Sequence, residues 1–231
     1  MRTKIIPGLI AAAGLFGLSQ QASALPLQVY FNDFESSVGT EWSDTNRTNA
    51  PTRLGVINSY YHGNYSQSQS TTLTLTGLPT HTQLSLQFDL YLFNTWDGED
   101  TYWGKDYFSL SGDIEGSWTF TNHQQEGQSY PGSPDLIPYG TAGNMSATYV
   151  YLGLDPTGSG DEFLISHSSS TFTVTFGGPT TQTDEWWGID NVRVTIDQPG
   201  GPANVPEPAT LALLGLGLAG IGYRRKRQRK A

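Results

Sequence analysis

The chain has 231 residues, 21 of them acidic against 12 Lys plus Arg, and no cysteine. Without cysteine it has no disulfide staples, no thiolate metal site and no cysteine nucleophile. Between residues 25 and 204 only Arg47, Arg53, Lys105 and Arg193 stand against twenty acidic residues, a formal charge of −16 that repels nucleic acid and anionic lipid and favours divalent cations.

At the N-terminus, Arg2 and Lys4 precede an apolar run over 5–18, and Ala22-Ser23-Ala24 follows. A positive start, an apolar run short for a bilayer span and a small-x-small site describe a signal peptide over 1–24. Signal peptidase would then leave Leu25 as the first mature residue.

The region 25–197 reads as a single domain, large enough for one buried core without staples. It is rich in Thr, Ser, Tyr, Phe and Gly and poor in Lys and Glu, which favours strands. Strands are expected at 27–31 and, from Leu73 and Leu75 alternating with threonines, at 72–76. Leu84, Leu86, Phe88, Leu90 and Leu92 alternate with polar or aromatic neighbours and predict a long strand. Further strands are expected at 107–110, 117–121, 148–154, 171–176 (Phe172, Val174, Phe176 against threonines) and 191–196. Gly/Pro/Asp clusters at 77–79, 97–98, 132–134, 155–158 and 177–179 punctuate them. The expected fold is all-β, a single antiparallel β-sandwich.

Period-two counting also places carboxylates. Leu27, Val29 and Phe31 share a face that runs on to Asp33 and Glu35, and Asp190 shares the parity of Val192, Val194 and Ile196. Acids at the ends of inward-facing rows need a partner, because a bare buried charge is costly. Basic residues are scarce, and Arg193 points the other way by parity. A structural Ca²⁺ with oxygen ligands meets the need. Asn32-Asp33-Phe34-Glu35 and Gly188-Ile189-Asp190-Asn191-Val192 resemble the terminal strands of jelly-roll carbohydrate-binding modules. That resemblance implies a jelly-roll-like sandwich in which Glu35 and Asp190 ligate calcium, with Asp33 a further candidate.

The densest acidic and aromatic loop is NTWDGEDTYWGKD, from Asn94 to Asp106. Asp97, Glu99, Asp100 and Asp106 can chelate calcium, and Trp96 and Trp103 can stack on sugar rings, as can Trp187 near the last strand. A solvated loop with its tryptophans folded inward is the alternative. No enzyme motif is present: the histidines at 62, 81, 123 and 167 are scattered, with His81 expected exposed in a turn-like PTHT stretch. The expectation is a non-enzyme.

Residues 198–204 (QPGGPAN) read as a Pro/Gly linker. The remainder is VPEPATLALLGLGLAGIGYRRKRQRKA: Val205, Pro206, Glu207 and Pro208, an uncharged apolar stretch over 209–223, then a basic tail over 224–231. As a helix the stretch reaches roughly 22 Å, short for a bilayer core of ~30 Å, and its glycines are tolerated in membranes. The arginines and lysines beyond it stay cytoplasmic under the positive-inside rule. The Pro-Glu-Pro triplet at 206–208, the apolar span and the Arg-rich end together resemble the PEP-CTERM sorting signal. The resemblance implies a Gram-negative bacterium, a transmembrane helix held briefly in the inner membrane, processing by exosortase, and residence at the cell surface or in an exopolysaccharide matrix. The expected role is structural or adhesive. The alternatives are a lectin-like module binding extracellular polysaccharide and a glycan-active hydrolase.

Overall fold

Alternating side chains put every second residue of a strand on one face, and the longest such run forms the centre of the fold. The computed structural model describes residues 26–49, 59–66, 69–122, 127–139, 148–154, 163–178 and 185–198, with Gly215 and Leu218. One compact unit spans Ala24–Pro199; the other comprises Met1–Ser23 and Gly200–Ala231. In the second unit Gly215 and Leu218 are helical. Among the described residues no helix is long and apolar enough to cross a membrane. The expected signal peptide, the linker beyond Gln198, the 205–208 motif and the rest of the 209–231 segment lie outside the described residues.

The described strands are β1 Leu27–Asn32, β2 Arg47–Asn49, β3 Tyr60–Ser66, β4 Ser70–Thr76, β5 Gln83–Phe93, β6 Tyr107–Gly112, β7 Gly116–Thr119, β8 Leu136–Tyr139, β9 Thr148–Tyr151, β10 Phe163–Ser166, β11 Thr171–Gly177 and β12 Trp186–Ile196. They form two antiparallel sheets. One has eight strands, β2-β3-β12-β5-β9-β8, with β1 joined to β12 and β10 to β5; the other has four, β4-β11-β6-β7.

The core lies between the sheets. Leu84, Leu86, Phe88, Leu90 and Leu92 of β5 are buried, as are Phe172, Val174 and Phe176 of β11. The Phe88 ring lies 5.1 Å from Phe176 and 5.9 Å from Phe108, and Phe108 lies 5.2 Å from Trp187. Each such side chain contributes about 1.5–3 kcal/mol by leaving water.

Two bulges overturn the period-two count at the domain's ends. In β1 the register shifts between Gln28 and Tyr30, so Tyr30 faces Val194 while Phe31 faces Arg193. Phe31 is 41% exposed, with the Arg193 guanidinium 5.3 Å from its ring. Leu27, Val29 and Phe31 therefore do not share an inward face.

In β12 the register against β5 shifts between Asp190 and Arg193. Asn191 takes a left-handed conformation there, φ 50°, which asparagine tolerates better than most residues. Trp187 and Ile189 before the bulge, and Val192, Val194 and Ile196 after it, all reach the core. Asp190 sits opposite Asp89, on the outer face of the eight-stranded sheet with Tyr91. Its burial is as expected, but its face is the opposite one.

Strand β3 was not visible in the sequence because its middle looks like a turn. Gly63 has φ 140° and Asn64 has φ 80°. Gly63 passes so close to β12 that a Cβ there would stand 2.7 Å from the Gly188 Cα.

Candidate functional site: two buried acidic centres

The first centre assembles from the loop after β5 and the start of β12. Asn94, at φ 66°, turns the chain out of β5. Trp96 is fully buried, its backbone N–H donating to Asn122 Oδ1 (3.2 Å) and its indole N–H to the Trp186 carbonyl (3.3 Å). That anchor sets Asp97, which bridges to Thr121 and donates its N–H to Asp106 Oδ2 at 2.8 Å. Gly98 follows at φ 60°, where a Cβ would fall 2.3 Å from the Gly127 carbonyl. Glu185 arrives from the other side, just before β12.

Carboxylate oxygens of Asp97, Asp106 and Glu185 all lie within 4.8 Å of one another. Their residues are 5%, 0% and 0% exposed. Like charges this close in a low-dielectric setting disfavour joint ionisation, and a hard divalent cation with oxygen ligands removes the conflict. The donor set, three carboxylates and no nitrogen or sulfur, fits calcium in kind.

Two of the loop's expected chelators are engaged elsewhere. Glu99 pairs with Lys105 and accepts from Thr119 Oγ1 at 2.5 Å. The Lys105 hydrogen bond, then that of Thr119, holds the Glu99 carboxyl below its usual range. Asp100 Oδ1 accepts from the Tyr102 N–H at 2.7 Å, closing a local turn. Of the four acids in the loop, Asp97 and Asp106 converge, and Glu185 is the partner sequence reading missed. Glu185 lies 79 residues beyond Asp106, so no spacing signal connects them.

The second centre contains the expected Glu35 and Asp190. Asp190 is 1% exposed; its Oδ1 accepts from the Asn191 N–H (2.7 Å) and its Oδ2 from the Tyr91 hydroxyl (2.9 Å). The Ser59 hydroxyl stands 2.6 Å from Glu35 Oε1 and 3.3 Å from Asp190 Oδ2, and the Tyr60 N–H donates to Glu35 at 2.9 Å. Glu35 and Asp190 thus meet through a serine hydroxyl. Asp33 does not join them: its Oδ1 accepts the Glu35 N–H at 3.1 Å on an exposed turn.

Asp89, across the ladder from Asp190, accepts from the Gly153 N–H (2.7 Å) and from Asn191 Nδ2 (2.8 Å). Burial pushes the Asp190 carboxyl up to about 7, against hydrogen bonds from Asn191 and Tyr91 that pull it down. Burial raises Asp89 as well. Hydrogen bonds from Ser59 and Tyr60 hold Glu35 low, with a smaller contribution from the Arg47 charge. Among the described residues the cation beside this centre is Arg47, while Arg193, expected to point the other way, lies over the exposed Phe31 ring. The Arg47 guanidinium lies 3.4 Å from the Tyr60 ring centroid and donates to the carbonyls of Phe34 and Glu35.

The expected sugar-stacking residues separate sharply. Trp96 and Trp187 are 0% exposed, so neither can offer a face to a sugar; both serve the core. Trp103 is 57% exposed and stands edge-on to Tyr102, 80% exposed, at 4.8 Å. His81, expected in solvent, is 2% exposed.

Comparison with known proteins bears on the C-terminal segment. Residues 204–227 match the family described as the PEP-CTERM protein-sorting motif. No match was found among curated proteins. Among solved structures, the chain is similar to the K3 cleaved adhesin domain of Lys-gingipain from Porphyromonas gingivalis W83, at 12% identity and TM-score 0.34, over 73% of this chain and 99% of that one. It is also similar to the K2 cleaved adhesin domain of Lys-gingipain, at 12% identity and TM-score 0.35, over 72% and 97% of the two chains. Likeness at that distance supports no inference about role. The family match is of another kind, because it falls on the Pro-Glu-Pro triplet, the apolar stretch and the first four basic residues after it together. The chain carries a PEP-CTERM protein-sorting motif, which implies export, sorting at the membrane and processing by exosortase.

Proposed function

We propose that the chain is a non-catalytic protein of the cell surface or exopolysaccharide matrix, with a structural or adhesive role, delivered by its C-terminal motif. The observation that carries this reading is the sorting motif at 204–227, joined to an acidic, cysteine-free β-sandwich. In transit, residues 209–223 would hold the chain in the inner membrane while exosortase acts near Pro206–Pro208. Deleting residues 205–231 and following the protein by cell fractionation tests it. Loss of membrane association and of a processed form is expected; unchanged fractionation would overturn the reading.

Structural calcium belongs to the same proposal. The donor chemistry favours Asp97, Asp106 and Glu185 as its place, since Glu35 and Asp190 already share the Ser59 hydroxyl and Asp33 turns away. A second reading, a lectin-like module, is favoured by the exposed Tyr102–Trp103 pair. Retention on a neutral-polysaccharide matrix that disappears in Trp103→Ala supports it, and equal retention of the variant removes it.

A further inference from the structure

We propose that a cleft beside β4, with the Glu41 carboxylate in its wall, binds a glycan through a protonated amino sugar. This place is distinct from the Tyr102–Trp103 pair, and its ligand does not depend on the sorting motif. The cleft has a volume of about 700 Å³. Ligand sites usually hold roughly 300–1,000 Å³. Val29 and Tyr30 of β1, residues 40–43, and β4 with Leu78 beyond it line the space.

Backbone pairing sets Glu41 in place. β4 is an edge strand of its sheet, and the chain ahead of β2 runs along that edge. The Ser43 N–H donates to the Thr72 carbonyl (2.9 Å), the Thr74 N–H donates to the Glu41 carbonyl (2.8 Å), and Trp42 bridges to Leu73. The Glu41 carboxylate then occupies space that only a glycine leaves open. A Cβ on Gly39 would stand 2.4 Å from Glu41 Oε1 and 2.5 Å from Oε2.

A tyrosine orients the same carboxylate. The Trp42 indole N–H donates to the Tyr30 hydroxyl at 2.7 Å, which leaves the hydroxyl hydrogen for an acceptor. Burial raises the Tyr30 hydroxyl, with hydrogen bonds from Asn32 and Trp42 opposing it and the bond to Glu41 adding to it. Tyr30 therefore keeps its hydrogen and gives it to Glu41.

Charge complementarity selects the partner's sign. Glu41 is the charged residue among those lining the cleft. The described basic side chains of the domain are committed elsewhere: Lys105 to Glu99, Arg47 to the carbonyls of Phe34 and Glu35, and Arg193 to the Phe31 ring. A carboxylate in a cleft of an acidic domain attracts a cation.

The rest of the lining selects its kind. Thr40, Ser43, Thr72, Thr74 and Thr76 bring hydroxyls, and Val29, Leu75 and Leu78 bring apolar surface. Hydroxyls that both donate and accept match the hydroxyls of a sugar, apolar side chains take the C–H face of its ring, and the carboxylate takes an ammonium group. A lysine side chain would use Glu41 and the apolar surface but leave the hydroxyls idle. A calcium ion calls for six to eight oxygen ligands, and the cleft offers one carboxylate.

The test is calorimetric titration of the full chain at pH 6, where the sugar amine is protonated. The probes are a glucosamine tetramer, its fully N-acetylated counterpart and an oligolysine of equal charge. The glucosamine tetramer should bind about tenfold or more tighter than either of the others. Glu41→Gln should remove that preference, and Trp103→Ala should leave it intact. Equal affinity for the acetylated tetramer, equal or tighter binding of oligolysine, or no binding of any probe would overturn the proposal. So would a preference that survives Glu41→Gln, or one lost in Trp103→Ala, which would assign the sugar to the loop after β5. The three-probe comparison needs only the wild-type chain, so it decides even if a variant fails to fold.

Discussion

The Asp97–Asp106–Glu185 triad and the Asp190–Asp89–Glu35 group use the same side chains and meet burial differently. Asp190 and Asp89 sit among donors: the N–H groups of Asn191 and Gly153, the Tyr91 hydroxyl and the Asn191 amide. Burial then pushes both carboxyls toward keeping their protons. In the triad, carboxylates from two distant segments face one another within 4.8 Å. A buried acid by itself does not mark a cation site. What surrounds it differs: hydrogen-bond donors that pull the carboxyls down against burial at one centre, and further carboxylates at the other.

The largest expected effect separates the two centres by pH. Asp190 and Asp89 have folded-state values above their unfolded ones, so the folded state holds their protons more tightly. The contribution of Asp190 is therefore fully present below about pH 4 and is lost as pH rises toward 7, and that of Asp89 runs in the same direction. For Asp190 the change is on the order of 2–4 kcal/mol. Denaturant melts without metal should show stability falling over that window, and Asp190→Asn should flatten the fall. A curve that instead rises through the window breaks the assignment.

Metal removal probes the other centre. At calcium a hundredfold above its dissociation constant, a site formed only in the folded state adds about 2.7 kcal/mol, on the order of 5–10 °C in melting temperature. EDTA should remove that increment from wild type, while Glu185→Gln should no longer respond to calcium. A response that survives Glu185→Gln but disappears in Glu35→Gln would exchange the roles of the two centres.

Smaller changes sharpen the contrast. Tyr91→Phe deletes a buried donor to Asp190 and should cost about 1–3 kcal/mol, measured by urea melts at pH 7. Glu35→Gln alters an exposed acid, and should cost no more than about 1 kcal/mol in the same assay.

The alternation of β4, β5 and β11 made the sandwich legible, because side-chain period alone tells which face is buried. Strand β3 was not legible, since Gly63 and Asn64 read as a turn while their positive φ angles serve a close pass against Gly188. Strands β2, β8 and β10, only three or four residues long, are too short to display a period. The tryptophans of the acidic loop showed the same limit. Trp96 and Trp103 sit seven residues apart in one polar segment, yet one is a core plug and the other is exposed.

Local chemistry written along the chain determined the all-β character, the acidic surface and the sorting motif at 204–227, because each depends on neighbouring residues alone. Tertiary structure decided which acids meet. A one-residue bulge at Asn191 moves Asp190 to the other face of its sheet, and the packing of β12 beside the loop after β5 brings Glu185 to Asp97 and Asp106. Both outcomes depend on register between strands distant in sequence, and a period-two pattern reverses its meaning each time that register slips by one.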